Sequence, residues 1–381
     1  MRIFYDHQVF SLQDAGGVTR YQYELVRNLQ LETDVQIAVL MGLNTSVMSL
    51  RDLSNARTRI LGWKTGLGPG YLRYAINELI SAVLSPGLGR FDIYHVMLYR
   101  AIPLLRRRRL VVTHHDCTHE RFPHLFRNAS FIMEKKRKLF SQADAIICVS
   151  ESSRRDLLHF YNVEENKTHV IHHGFSPLSV GSSPGQANGI PNAPYLLYVG
   201  LRARYKNFLL LLDAFSRSGL AGDFQLVVIG GGAFSAEEEA KISSLGVGNR
   251  IRHIPKAGEA TLAHAYRNAS LFVYPTLYEG FGFPTLEAMS LGCPVLVHRT
   301  SSLPEVCGDA VFYFDASDAD ELSGALVSTL QDSEGIVLKR RLGEERVRLY
   351  DWNRSAKSTL AVYRAVFDGQ SDGLKEGEPN A

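Results

Sequence analysis

Short apolar runs alternate with amphipathic helical stretches along nearly the whole chain, a pattern that constrains the fold to a parallel sheet with helices on both faces. In the first half, residues 3–5, 35–40, 59–61, 93–96, 110–113, 145–149 and 169–172 read as strands. Helical periodicity lies between them. Tyr21, Leu25, Val26 and Leu29, for example, recur at helical spacing and predict a helix that covers the first strand. From 176 to 194 the chain turns to Ser, Pro, Gly and Asn with almost no large apolar residue, which places a domain boundary there. The alternation restarts with 195–199, 225–229, 250–254, 271–274, 294–298 and 311–314. Two α/β domains follow, each Rossmann-like and doubly wound, over residues 1–178 and 179–350. A helical stretch at 351–368 and a flexible tail at 369–381 complete the chain. Domains of this kind bind ligands at the carboxyl ends of their strands, so two facing each other would share a cleft.

The 381 residues suffice for two compact domains, and 45% hydrophobic with 21% charged residues is ordinary globular composition. A net charge of +3 is too small to argue for nucleic acid. The basic run 106–109 directly precedes a strand and reads as its solvated approach. A second cluster, 135–138, sits on a helical stretch and offers a weakly basic face for peripheral contact with an anionic membrane. Cys117, Cys148, Cys293 and Cys307 lack metal-type or redox-type spacing and read as reduced thiols serving as small hydrophobes. The N-terminal residues lack the layout of a signal peptide, and no apolar run nears the ~18 residues of a membrane span. The expectation is a cytoplasmic protein, either free or peripheral at the inner face of the membrane.

The segment 278–289, YEGFGFPTLEAM, carries the most chemistry. It lies between the strand 271–274 and a helix stopped by Gly292, so Glu279 falls on a strand-to-helix loop and Glu287 in the first turns of the helix. Pro284 suits the first helical position, and Gly280 and Gly282 let backbone amides turn towards a ligand. A helix N-terminus attracts phosphate, whereas two carboxylates repel it unless they face hydroxyl groups. A phosphate joined to a group rich in hydroxyls, such as a nucleotide sugar, fits both halves. On local grounds alone, the glutamates are equally well explained as acidic residues that favour a first helical turn.

Other loops at strand ends carry charge or glycine. Gly200 is followed by Arg202, Arg204 and Lys206, cations able to grip a diphosphate and to stabilise charge on a leaving phosphate. Gly16 and Gly17 precede a helix beginning near Val18, where backbone could approach a phosphate or sugar closely. His114, His115 and Asp116 end the strand 110–113, and His119 and Glu120 follow them closely. Residues 230–232 are a glycine run after a strand, which allows nucleotide approach or a simple turn. Asp318 and Asp320 superficially match a D-x-D metal motif, but their context reads as a helix cap with acidic residues in its first turn. No G-x-G-x-x-G follows a strand, so a nicotinamide or flavin fingerprint is missing.

Taken together, E-x7-E within EGFG and P-x-LEA, the GGVTRY opening, HHD and the LRARYKN loop resemble the signatures of retaining glycosyltransferases of family 4, which have the GT-B fold. The resemblance implies a hexosyltransferase that needs no metal or other cofactor. It gives Arg202 and Lys206 the diphosphate and Glu279 the donor sugar near the reacting carbon. Glu287 takes the ribose hydroxyls. The backbone around Gly280, Phe281, Gly282, Phe283, Thr285 and Leu286 holds the donor phosphates and sugar, with Gly16, Gly17 and Gly200 also on the donor. Pro255, between Ile254 and Lys256, falls where relatives hold the nucleobase through backbone atoms. His115 inherits an acceptor-side role, orienting the acceptor or the donor sugar's hydroxyls. We expect Asp116 to fix its tautomer and His119 or Glu120 to line the acceptor pocket. The stretch 351–368 is similar to the helix that in GT-B proteins crosses back to the N-terminal domain. Together with FYDHQVFSLQ, these motifs look most like mannosyltransferase-type enzymes of bacterial surface-polysaccharide assembly. GDP-mannose is therefore the first expected donor, UDP-sugars and others stay open, and a glycan or lipid-linked glycan is the expected acceptor. A GT-B-like sugar-nucleotide epimerase and a non-catalytic nucleotide-sugar-binding subunit are the alternatives.

Overall fold

The computed structural model describes residues 1–12, 16–46, 50–66, 70–84, 90–99, 109–178, 189–315 and 318–369. Residues 106–108 of the basic run, 179–188 of the polar stretch and 370–381 of the expected tail lie outside the described residues. Chain contacts divide the protein into two units, one of residues 1–174 together with 351 onward, the other of Phe175–Tyr350.

The first unit is built on a seven-stranded sheet of β1 (Arg2–Tyr5), β2 (Gln36–Asn44), β3 (Thr58–Lys64), β4 (Ile93–Val96), β5 (Arg109–His114), β6 (Ala145–Cys148) and β7 (Thr168–Val170). Its order is β3-β2-β1-β4-β5-β6-β7, and every pairing is parallel. The second unit has β8 (Tyr195–Val199), β9 (Gln225–Ile229), β10 (Ile251–Ile254), β11 (Leu271–Tyr274), β12 (Val295–His298) and β13 (Phe312–Phe314), in the order β10-β9-β8-β11-β12-β13, again all parallel. Each strand expected from an apolar run is present. β2 and β3 run longer than expected because their ladder continues past an irregularity at Leu40/Gly42 as far as the Asn44–Lys64 pair.

In each unit the chain winds outward from a central strand in one direction and then restarts in the other. The strand order reverses between β1 and β4 in the first sheet and between β8 and β11 in the second. Doubly wound sheets bind ligands outside the carboxyl ends of the strands at such a reversal. In the second unit that edge carries the loops after β8 and β11. Helix Phe208–Arg217 covers β8 and β9, sinking Phe208, Leu211, Leu212 and Phe215 into a core with Leu196, Tyr198 and Val228. Burying such a side chain contributes roughly 1.5–3 kcal/mol, so this face anchors the loop that precedes the helix.

Helix Trp352–Asp368 belongs to the first unit and packs against helix Gly17–Leu29. A buried hydrogen-bond chain fixes it there: the Tyr363 hydroxyl meets the Tyr5 hydroxyl at 2.8 Å and His95 Nδ1 at 2.5 Å, and His95 Nε2 meets Thr113 Oγ1 at 2.8 Å. Tyr21, Leu25, Val26 and Leu29 are buried on the facing helix, as their spacing predicts.

Two surface features differ from the sequence reading or add to it. On helix Ala129–Gln142, Lys136 is fully buried, donating to Glu120 at 3.0 Å and to the Asp116 carbonyl at 2.8 Å. The expected basic face therefore loses one of its four cations to the interior, where Glu120 compensates the charge. Helix Gly70–Leu84 buries Arg73, Asn77 and Ser81 while Tyr71, Leu72, Leu79 and Val83 are exposed. Asn77 explains the polar inner face, since it accepts from Leu43 N at 2.7 Å and donates to Leu43 O at 2.9 Å and to Ser11 Oγ at 2.7 Å. All four cysteines are buried free thiols. Among the described residues, no helix is long and apolar enough to cross a membrane.

Candidate functional site

In the second unit, β8 ends at Val199, and its loop turns through Gly200 into a short 3-10 turn, Arg204–Lys206. Tyr205 O accepts from Leu277 N at 2.8 Å, which ties this turn to the loop after β11. That contact brings Lys206 Nζ onto Glu279 Oε1, with the Tyr274 hydroxyl 3.4 Å from the ammonium. The pair is largely enclosed, with the side chains 14% and 11% exposed, so its charges are only weakly screened. Burial, then the Glu279 charge and its hydrogen bond, push the Tyr274 hydroxyl well above its ordinary range, and it stays a neutral donor.

Arg202 has a different setting. Its side chain is 3% exposed, and Nε donates to Glu238 Oε1 at 2.9 Å. Nη1 meets Gly230 O at 2.6 Å and His253 Nε2 at 3.3 Å, and Nη2 meets Gly232 O at 3.0 Å and Ala233 O at 2.7 Å. All three nitrogens of the guanidinium are therefore engaged within the protein. The structure thus places Arg202 against the glycine turn, which it holds through the carbonyls of Gly230, Gly232 and Ala233. The turn is shaped for it: Gly230, Gly231 and Gly232 all have positive φ, and a Cβ on Gly231 would come within 2.5 Å of Arg202 Nη1. Arg204 lies largely in solvent and pairs with Glu237 at 2.9 Å.

Helix Phe283–Ser290 opens behind Gly282, so Pro284 sits one residue inside the first turn. Gly282 has φ of +100°, which favours glycine, and a Cβ there would lie 2.8 Å from Leu303 Cδ2, so that side chain would also have to shift. Phe281, Thr285 and Leu286 are buried, Thr285 Oγ1 bonding back to Gly282 O at 2.8 Å, which leaves their side chains to packing. Gly280 and Phe283 are half-buried. Glu287 is also half-buried and accepts from the Tyr266 hydroxyl at 3.2 Å. Pro255 is exposed at the end of β10. Sequence reasoning missed Glu238, Tyr274 and the hydroxyls of Ser301 and Ser302, which bond the Glu279 loop. The Ser235–Glu238 capping box was a legible signal for the first of these.

In the first unit, Gly16 is the N-cap of helix Gly17–Leu29, with no side-chain cap bond on the first-turn amides. His115 follows β5, its Nε2 3.0 Å from Met97 O and its ring edge-on to Tyr21. The Met97 carbonyl, not Asp116, is the hydrogen-bond partner that selects its tautomer, with the proton on Nε2. Burial lowers the His115 imidazole to about 4, so it is neutral at pH 7. Asp116 instead accepts from Thr118 N at 2.9 Å. Burial alone would raise its carboxyl, but the Lys136 charge and the Thr118 bonds outweigh that and hold it at about 2. Glu120 is buried between Lys136 and the Tyr161 hydroxyl, which corrects the expectation that it lines a pocket. His119 is half-buried, its ring tilted against that of Phe126 with centroids 4.5 Å apart. Asp318 accepts from Asp320 N at 3.0 Å and Glu321 N at 2.9 Å as the cap of helix Ala319–Gln331, in line with the reading of that motif.

Two all-parallel, doubly wound units in one chain are the components of the GT-B architecture. A sucrose-phosphate synthase from Thermosynechococcus elongatus has the same fold, with a TM-score of 0.76 and 19% identity over 97% of this chain and 99% of that one. Residues 15–177 match the family model described as Glycosyltransferase Family 4, and residues 185–346 match that described as Glycosyl transferases group 1. The chain belongs to glycosyltransferase family 4. It is 27% identical over 272 residues to O-antigen chain mannosyltransferase B of Escherichia coli, covering 68% of this chain and 71% of the relative. It is likewise 27% identical over 304 residues to MMP alpha-(1->4)-mannosyltransferase of Mycolicibacterium hassiacum, covering 74% and 72%.

Proposed function

We propose that this glycosyltransferase moves a hexose, mannose first, from a nucleotide-diphosphate donor to a glycan or lipid-linked glycan, with retention at the anomeric carbon and without a metal. The Lys206–Glu279 pair at the reversal point of the second sheet carries this reading. An ammonium there meets the charge that develops on the leaving phosphate, and a carboxylate beside it binds sugar hydroxyls. The bond from the anomeric carbon to the phosphate oxygen breaks while the acceptor oxygen bonds on the same face. The departing diphosphate takes the acceptor's proton. Glu287 holds the ribose, and the backbone from Gly280 to Leu286 the phosphates and sugar. The Nδ1 of neutral His115, its Nε2 proton held by the Met97 carbonyl, accepts one hydrogen bond from a sugar hydroxyl.

Mannose as the first choice is supported by the two mannosyltransferase relatives. A thermal-shift panel of nucleotide sugars, followed by transfer assays on free and lipid-linked glycans, tests the reading. GDP-mannose is expected to raise the melting temperature most and to support transfer. Stabilisation by a UDP-sugar alone would reassign the donor, and no stabilisation by any nucleotide sugar would contradict the proposal. Product made from the donor without an acceptor would point to epimerisation instead.

Peripheral contact with an anionic membrane belongs to the same proposal. Exposed Arg137 and Lys138 and the outward apolar residues of helix Gly70–Leu84 support it. The protein is expected to sediment with anionic vesicles and to be released by salt; failure to bind them would remove the membrane from the account.

A further inference from the structure

We propose that Ser301 and Ser302 are positioning residues for Glu279, fixing the peptide that holds its carboxylate against Lys206. The inference rests on the transfer reaction proposed above. Among the described residues, only Asn207 and Ser301 are non-glycine residues at positive φ, at +58° and +49°. They sit at the two ends of one ion pair. Asn207 follows Lys206 directly, and Ser301 Oγ accepts from Glu279 N at 2.8 Å. Residues other than glycine persist in this region only where their surroundings dictate it, and such positions gather at functional sites.

Ser302 adds an independent observation. It occupies the N-cap of helix Leu303–Cys307, where a serine hydroxyl ordinarily accepts from a first-turn amide, yet no side-chain cap bond forms. Its hydroxyl is turned the other way, donating to Glu279 O at 3.0 Å and Phe281 O at 3.1 Å. The helix gives up its cap to hold the loop. Thr300 Oγ1 extends the clamp to Leu277 O at 3.0 Å, and Leu303 closes on Gly282. Glu279 lies next to Gly280 and near Gly282, so its backbone would otherwise be among the freest in the unit. Bonds to both its N–H and its C=O remove that freedom.

The substitution Ser301→Gly separates positioning from stability, because glycine relaxes at positive φ while the bond to Glu279 N is lost. Ser302→Ala removes the other half of the clamp. Each variant is compared with the full-length wild type by amide hydrogen exchange over residues 279–281, melting temperature and steady-state transfer with the donor chosen by the panel. In Ser301→Gly we expect an unchanged or higher melting temperature, faster exchange at Glu279, kcat lower by about 10- to 100-fold and donor KM within about twofold. A contact that is merely structural would lower the melting temperature and leave kcat alone. Unchanged exchange at Glu279, or wild-type kcat in both variants, would overturn the proposal. Faster exchange in the variants of a protein whose wild type transfers from no nucleotide sugar would overturn the transfer reading and leave the clamp standing.

Discussion

Lys206 and Glu279 stand 73 positions apart in the chain, and two loops must be held together for their charges to meet. The sequence motifs place both residues at strand ends but are silent on which cation faces which acceptor. Lys206 and Arg202 look equivalent in LRARYKN. Only the fold shows that the two terminal nitrogens of the Arg202 fork bind the carbonyls of the glycine turn and its Nε binds Glu238, while a single ammonium reaches Glu279. Arginine suits the first task because its planar geometry meets several oxygens at once, and lysine suits the second as a compact point charge. Glu287 faces a milder environment, a tyrosine hydroxyl at 3.2 Å, and carries the ribose in this account. Glu287→Ala should weaken nucleotide binding by roughly 1–3 kcal/mol in calorimetry, the scale of a hydrogen bond to a charged group. An unchanged dissociation constant would remove the ribose role.

At the scale of elements, strands were legible and clamps were not. Strands buried on both faces of a parallel sheet read as unbroken apolar runs, and β8, β9 and β11 are nearly all buried. The loop after β11 was legible because glycine and proline at fixed places imply a turn into a helix. By contrast, Thr300, Ser301 and Ser302 look like any polar turn after a strand, and their work becomes visible only when the loop they bond lies beside them. Helix Gly70–Leu84 escaped a plain hydrophobicity argument because Asn77 on its inner face serves the backbone of β2. Gly282 offers a direct test of how tightly the loop and helix are joined. Gly282→Ala should cost about 1–2 kcal/mol in denaturant unfolding, from φ of +100° and the close Leu303 methyl, and should weaken donor binding as well. Wild-type stability would show that the helix start can shift freely.

For the whole molecule, the alternation of runs gave two doubly wound units, and the parallel ladders place the reversal point of each sheet at the loops that carry the family's signatures. Helix Trp352–Asp368 returns to the first unit through Tyr363, which bonds to Tyr5 at the start of the chain. The name of the sugar left no such mark, because the proposed contacts, backbone atoms to the base and common hydrogen-bonding groups to the hexose, need no distinctive side chains. The central claim is that Lys206 and Glu279 together carry sugar transfer, and steady-state transfer from the preferred donor by wild type, Lys206→Ala, Glu279→Ala and the double variant tests it most directly. Each single variant should lose about 10²–10³-fold in kcat, with the double variant close to the singles because the pair acts as a unit. Near-normal turnover in either single variant, with the fold intact by melting temperature, would contradict the account.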